Sequence, residues 1–261
     1  MSDTASVPAL SRGRLWAEIV IVLLLSLGGS AITAIVTIID RLTQPVVLSA
    51  QTATINQPMS DRSGFDLAYQ LISIMLQLAP VALVCYLLWL PRRPHLGALG
   101  IDFRRPLRDC GWGVVLALVI GIPGLALYIV GRAIGINATI VPSALDSYWW
   151  TTPLLILSAI RAALQEEVIM VGYLFDRLRR VGWGPWAIIL GSALVRGTYH
   201  LYQGFGGFIG NIVMGVVFGW VYQRWGRTGP LVVAHALLDV VTFVGWSWAV
   251  QAFPGLLAPA P

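Results

Sequence analysis

Apolar residues run through this chain in long blocks that show no two-residue alternation and are broken by short polar stretches. Seven blocks stand out, at about 15–39, 67–90, 111–131, 153–175, 185–202, 207–223 and 230–250. Most reach the roughly 17–25 residues that a helix needs to cross a hydrocarbon core. A transmembrane β-barrel would instead show alternating segments of about ten residues. The pattern predicts an all-α, polytopic transmembrane helix bundle of about seven spans, forming one integral membrane domain over 1–261. The fifth and sixth blocks are short, and Gly204-Phe205-Gly206-Gly207 between them reads as a tight turn.

Polar positions fill in the rest of the pattern. Residues 40–66 form a polar outer loop and 91–109 a basic inner loop, where Pro91 and Pro94 end the second helix. The tail after Phe253, with Pro254, Pro259 and Pro261, is expected to fray. Trp149, Trp150, Trp183, Trp186, Trp246 and Trp248 lie near block ends, where indoles anchor helices at the bilayer interface. The spacings Gly191/Val195, Gly206/Gly210 and Gly215/Gly219 suit close helix contact through small residues.

Composition agrees. The chain is 57 % hydrophobic and only 11 % charged, with a mean hydropathy of +0.77, against roughly 25 % charged residues in a soluble domain. The net charge of +5 comes entirely with arginine, because the 17 basic residues include no lysine. Twelve of them fall before the first block or in the second, fourth and sixth loops, and only Arg41, Arg62 and Arg132 lie on the other side. The positive-inside rule then puts the N-terminus in the cytoplasm and the C-terminus outside. This distribution accounts for the basic charge without nucleic acid as a partner, and the arginine bias suggests a bacterial cytoplasmic membrane. The first apolar run exceeds the 7–15 residues of a signal-peptide core and is read as an uncleaved helix. Cys85 and Cys110 sit in or beside spans with no metal-ligand spacing around them and are read as unpaired packing residues.

Five charges interrupt the late blocks and change the picture: Arg161, Glu166 and Glu167 in the fourth, Arg196 in the fifth and Asp239 in the seventh. Each costs roughly 2.5–3.5 kcal/mol near a bilayer centre on an insertion scale. His200 and His235 accompany them. Arg196 and His200 are four residues apart, as are His235 and Asp239, so each pair leaves one helix face. Glu166 and Glu167 diverge by about 100°, so only one faces a cavity squarely. At about 1.5 Å per residue, Glu166 and Asp239 come to roughly 15 Å from the cytoplasmic ends, with His235 shallower and His200 deeper. Such a cluster, entered from the cytoplasmic side, suits proton transfer by a carboxylate in an apolar pocket or divalent-metal binding. Neither an H-E-x-x-H helix nor a G-x-S-x-G serine is present.

In order and spacing these residues resemble the three motifs of the CPBP intramembrane proteases, the CaaX protease and bacteriocin-processing (Abi) family. Gln165-Glu166-Glu167-Val168-Ile169-Met170-Val171 resembles E-E-x-x-x-R, Arg196-Gly197-Thr198-Tyr199-His200 resembles F-x-x-x-H, and His235-Ala236-Leu237-Leu238-Asp239 resembles H-x-x-x-N/D. The resemblance covers roughly 150–245. Two positions depart from it, Val171 for the motif arginine and Arg196 for the motif phenylalanine, as if the arginine had moved from the fourth helix to the fifth.

The resemblance implies intramembrane endopeptidase activity on a membrane-associated peptide or protein. Glu166 and His200 would activate water, His235 and Asp239 would support the oxyanion, and Asp239 would orient His235. Glu167 would support Glu166, with Arg196 and Arg161 as counter-charges. A metal-free mechanism is expected; a zinc-like ion on Glu166, His200 and His235 is the alternative. Two other functions fit the composition: a non-catalytic membrane scaffold or regulator with the same fold, and a proton-coupled transporter. No internal repeat or pair of broken helices supports the transporter.

Overall fold

In a computed structural model that describes residues 10–253, the apolar blocks are helices. The first rod is α1 (Arg12–Leu23) and α2 (Gly29–Thr43), continuous through a π-helical turn at Leu24–Gly28. Then come α3 (Ser63–Leu87) and α4 (Pro106–Ala133). The fourth rod is α5 (Thr151–Glu166), a second π turn at Glu167–Tyr173, and α6 (Leu174–Val181). The last three are α7 (Pro185–Tyr199), α8 (Phe205–Trp225) and α9 (Gly229–Ala252). Five of these rods are long and apolar enough to cross a membrane: Arg12–Thr43, α3, α4, α8 and α9. The rod α5–α6 and the 15-residue α7 do not qualify by length and composition. The proline-containing tail after Phe253 lies outside the described residues.

The exterior stays apolar. Leu25, Val36, Leu76 and Ile122 are each more than 60 % exposed, which water would penalise and lipid does not. The charged rod α5–α6 is the inner one. Val168, Ile169, Met170, Tyr173 and Phe175 are wholly buried, enclosed by α1, α3, α7 and α9. Close approach between the surrounding helices depends on missing side chains. A Cβ on Gly215 of α8 would come within 2.9 Å of the Ala193 backbone on α7, the small-residue contact expected in membrane bundles.

The two long loops on the arginine-poor side are not wholly irregular. Strand β1 (Thr52–Asn56) pairs in parallel with β2 (Thr139–Ser143), Thr52 opposite Thr139 and Thr54 opposite Val141. The expected all-α fold therefore carries a small two-stranded cap. The sequence concealed it because each strand is five residues long and its partner lies far along the chain. Asn137, just before β2, is buried; its Oδ1 accepts from the Gly206 amide at 2.8 Å. A backbone bridge from Asn137 to Gly204 ties the cap to the turn between α7 and α8. Gly204 there has φ +106°, a conformation that favours glycine.

Some arginines assigned to topology also join helices. Buried Arg177 contacts Glu18 of α1 at 2.7 Å and Asp176 at 2.8 Å. Arg227, between α8 and α9, reaches Asp102 at 2.7 Å and also pairs with Asp109 of α4. Of the tryptophans, Trp149, Trp186 and Trp248 are exposed, but Trp150 is buried and donates to Ser63 Oγ at 3.3 Å. Trp150 is thus a packing residue between α3 and α5, not an interface anchor. Both cysteines are free.

The Arg227 tie sets a pH dependence. The hydrogen bond from Arg227 holds the Asp102 carboxyl below the usual carboxylate range. A carboxyl with a depressed folded pKa stabilises above its unfolded value, about 3.9, and loses that contribution as pH falls through the folded value. Melting curves of the detergent-solubilised protein are expected to drop on acidification below about pH 4. Arg227→Gln should flatten that acid limb; identical limbs in both proteins would contradict the role of this tie.

Candidate active site

The site is assembled where α5 widens into its π turn. Glu166 is the last residue of α5 and Glu167 the first of the turn. Single π turns in α-helices recur at functional sites. Ser192 of α7 supports this one by donating to the Met170 carbonyl at 2.8 Å. Nothing in the sequence signals the widening.

The two glutamates have different surroundings. Glu167 is fully buried, and its Oε1 lies 2.7 Å from both Arg196 Nη2 and His235 Nδ1. Glu166 is 8 % exposed. Its Oε2 accepts from the Tyr199 hydroxyl at 2.7 Å, with Arg196 Nη1 at 3.5 Å and His200 Nε2 at 3.8 Å. One guanidinium thus stands against both carboxylates, closer to Glu167. Removing either partner from such a buried pair is far costlier than the pair's net contribution.

Both histidines are oriented through Nδ1. An ionised Glu167 can only accept, so His235 donates to it from Nδ1. The other nitrogen, Nε2, is 3.6 Å from Asp239 Oδ2, too far for a direct hydrogen bond. The group that fixes the His235 ring is therefore Glu167 rather than the expected Asp239. His200 caps α7, and Gln203 Nε2 lies 3.3 Å from its Nδ1. With the amide donating, a neutral His200 carries its proton on Nε2, facing Glu166. That Nε2 and Glu167 Oε2 are buried with no protein hydrogen-bond partner.

Of the residues singled out in the sequence, Glu166, Glu167, Arg196, His200, His235 and Asp239 come together. Arg161 stands at their edge: its Nη1 donates to Gln165 at 3.3 Å, and its charge acts on Glu166 and Asp239 from beyond ion-pair distance. Sequence reasoning did not single out Tyr199 or Gln203. Gln203 stands three residues after His200, a spacing that could have flagged it; Tyr199 gave no such signal. The depth also differs from expectation. The fourth rod runs on to Val181, so Glu166 is about 22 Å from its arginine-bearing end rather than about 15 Å. His200 ends the 15-residue α7 at the opposite side from the arginine-rich loops. Glu166 is midway along the rod Thr151–Val181 and His235 and Asp239 lie in the first half of α9, so the cluster spans the middle of the bundle.

The segment that holds this cluster is the one that matches a known family. Residues 148–241 fit the family described as Type II CAAX prenyl endopeptidase Rce1-like. Over these residues, fewer than half of the chain, the match supports a place in the CPBP family. No curated protein and no solved structure matches it significantly. The family's activity is CAAX-type endoproteolysis, a hydrolysis of membrane-associated peptides or proteins. With its five apolar helices, the chain is an integral membrane protein.

A divalent ion was the alternative left open by the sequence, and the donor atoms can be tested for it. One ligand atom each from Glu166, Glu167 and His235 lie within 4.8 Å of one another, a set with Glu167 where the sequence suggested His200. The count suits zinc, but the charge does not. Arg196 stands 2.7 Å and 3.5 Å from the two carboxylates, so a resident cation already neutralises the donors an ion would need. His235 Nδ1 is likewise engaged with Glu167. The donor set fits an ion poorly, and no chemistry is routed through one here.

Proposed function

We propose that this protein is a metal-free intramembrane endopeptidase of a bacterial cytoplasmic membrane, with seven spans and a cytoplasmic N-terminus. The observation that carries the reading is the 3.8 Å gap between Glu166 Oε2 and His200 Nε2. Two groups so spaced can both reach one water at a hydrogen-bond distance of about 2.8 Å. His200 Nε2–H orients that water and Glu166 takes its proton as the oxygen attacks the scissile carbonyl carbon.

The carbonyl π bond opens to an oxyanion. His235, held at Nδ1 by Glu167, donates from Nε2–H to the oxyanion when the imidazole carries both protons. On collapse the C–N bond breaks and the leaving amine takes the proton from Glu166. Arg196 pairs with Glu167, and Glu167 keeps His235 in place. Tyr199 fixes the Glu166 carboxylate.

The test compares membrane peptidomes of cells expressing the wild type and Glu166→Gln at equal protein levels. Products that vanish in the variant are expected, and they name the substrate. Identical peptidomes, repeated with His200→Ala, would sink the endopeptidase reading in favour of a non-catalytic scaffold.

A further inference from the structure

One polar feature lies outside this chemistry. Ser30, Thr33, Thr37 and Arg41 recur at three- and four-residue intervals on α2, giving a largely apolar helix one polar face. That face borders a cavity of ≈ 410 Å³, whose other wall includes Thr52 of β1, Tyr199 and Tyr202. Its size is within the roughly 300–1,000 Å³ of ligand pockets.

Arg41 is the one charged residue in the lining. Its Nη2 donates to the Thr52 carbonyl at 2.9 Å, but Nη1 is buried without a hydrogen-bond partner. Among the described residues no carboxylate lies within ion-pair distance of Arg41; the neighbouring Asp40 accepts from Gln44 and acts on Arg41 only at longer range through its charge. A buried guanidinium N–H left open is costly unless a ligand accepts from it. Guanidinium is also matched in shape to carboxylate. Tyr199 lines the same cavity and donates to Glu166 at 2.7 Å, so the cavity ends one side chain from the carboxylate assigned to water.

We infer that this cavity is a specificity subsite in which Arg41 binds the C-terminal carboxylate of the peptide substrate. The inference rests on the endopeptidase reading for its substrate, and its test is made on binding alone. Full-length protein in zwitterionic nanodiscs is titrated with an acetylated alanine–valine tetrapeptide, once as the free acid and once as the C-terminal amide.

The acid is expected to bind about tenfold tighter, the scale of one charge-assisted hydrogen bond. In Arg41→Gln the acid-to-amide ratio should fall to near one, while Arg41→Lys, which keeps the charge, retains a preference. Equal binding of acid and amide by the wild type, or a preference that survives Arg41→Gln, overturns the subsite. So does acid binding that anionic phospholipid in the disc abolishes, because the cavity is then a lipid-phosphate site. A protein that prefers the acid through Arg41 yet cleaves nothing would count against the endopeptidase reading and leave the subsite standing.

Discussion

Glu166→Gln is expected to lower the cleavage rate by about 10²–10⁴-fold, the range for removing a positioned general base, while the protein still folds. The amide oxygen of glutamine can accept the Tyr199 hydroxyl hydrogen bond that Glu166 Oε2 accepts at 2.7 Å. Among the described residues, the longer contact to Arg196, 3.5 Å, is the only ion pair with arginine that is lost. Glu167→Gln should behave differently. It removes the anion between Arg196 and His235, both at 2.7 Å, and breaking a buried pair from one side costs about 3–5 kcal/mol. Turnover of a substrate found in the peptidome, read beside thermal unfolding in micelles, separates the two. If Glu166→Gln unfolds while Glu167→Gln folds but is inactive, the roles of the two carboxylates must be exchanged.

Arg196→Phe carries the largest expected loss of stability, again about 3–5 kcal/mol, because two buried carboxylates lose their shared counter-charge. Arg196 is 1 % exposed, among the largest fully buried side chains of the protein. The substitution also restores the motif phenylalanine, and Val171→Arg restores the motif arginine. Residue 171 follows Glu167 by four and lies on the same side of the helix. The double variant Val171→Arg/Arg196→Phe should therefore regain part of the stability that Arg196→Phe loses. Unfolding curves that superimpose for the single and double variants would show that an arginine at 171 cannot serve both glutamates from there.

That exchange shows how far the sequence could be read. Charges in apolar blocks are rare enough to be noticed without a structure, and i, i+4 spacing put Arg196 with His200 and His235 with Asp239. Membrane embedding was equally legible, since a bilayer demands long uninterrupted apolar runs. Arg161, Glu166 and Glu167 all looked alike by these criteria. Only packing separated them: Arg161 bonds Gln165 at the edge of the site, Glu167 sinks into full burial beside Arg196, and Glu166 keeps slight exposure near His200.

The amino-acid sequence by itself determined the helix-bundle class, the membrane setting and the set of ionisable residues, because these depend on hydropathy and on local helical period. The tertiary structure decided which glutamate holds His235, where the π turn falls, and how β1 meets β2. It also decided that the polar face of α2 closes a cavity against Tyr199. Each of these is a contact between residues far apart in the chain, where no local spacing rule operates and only the packing of whole helices selects the partner.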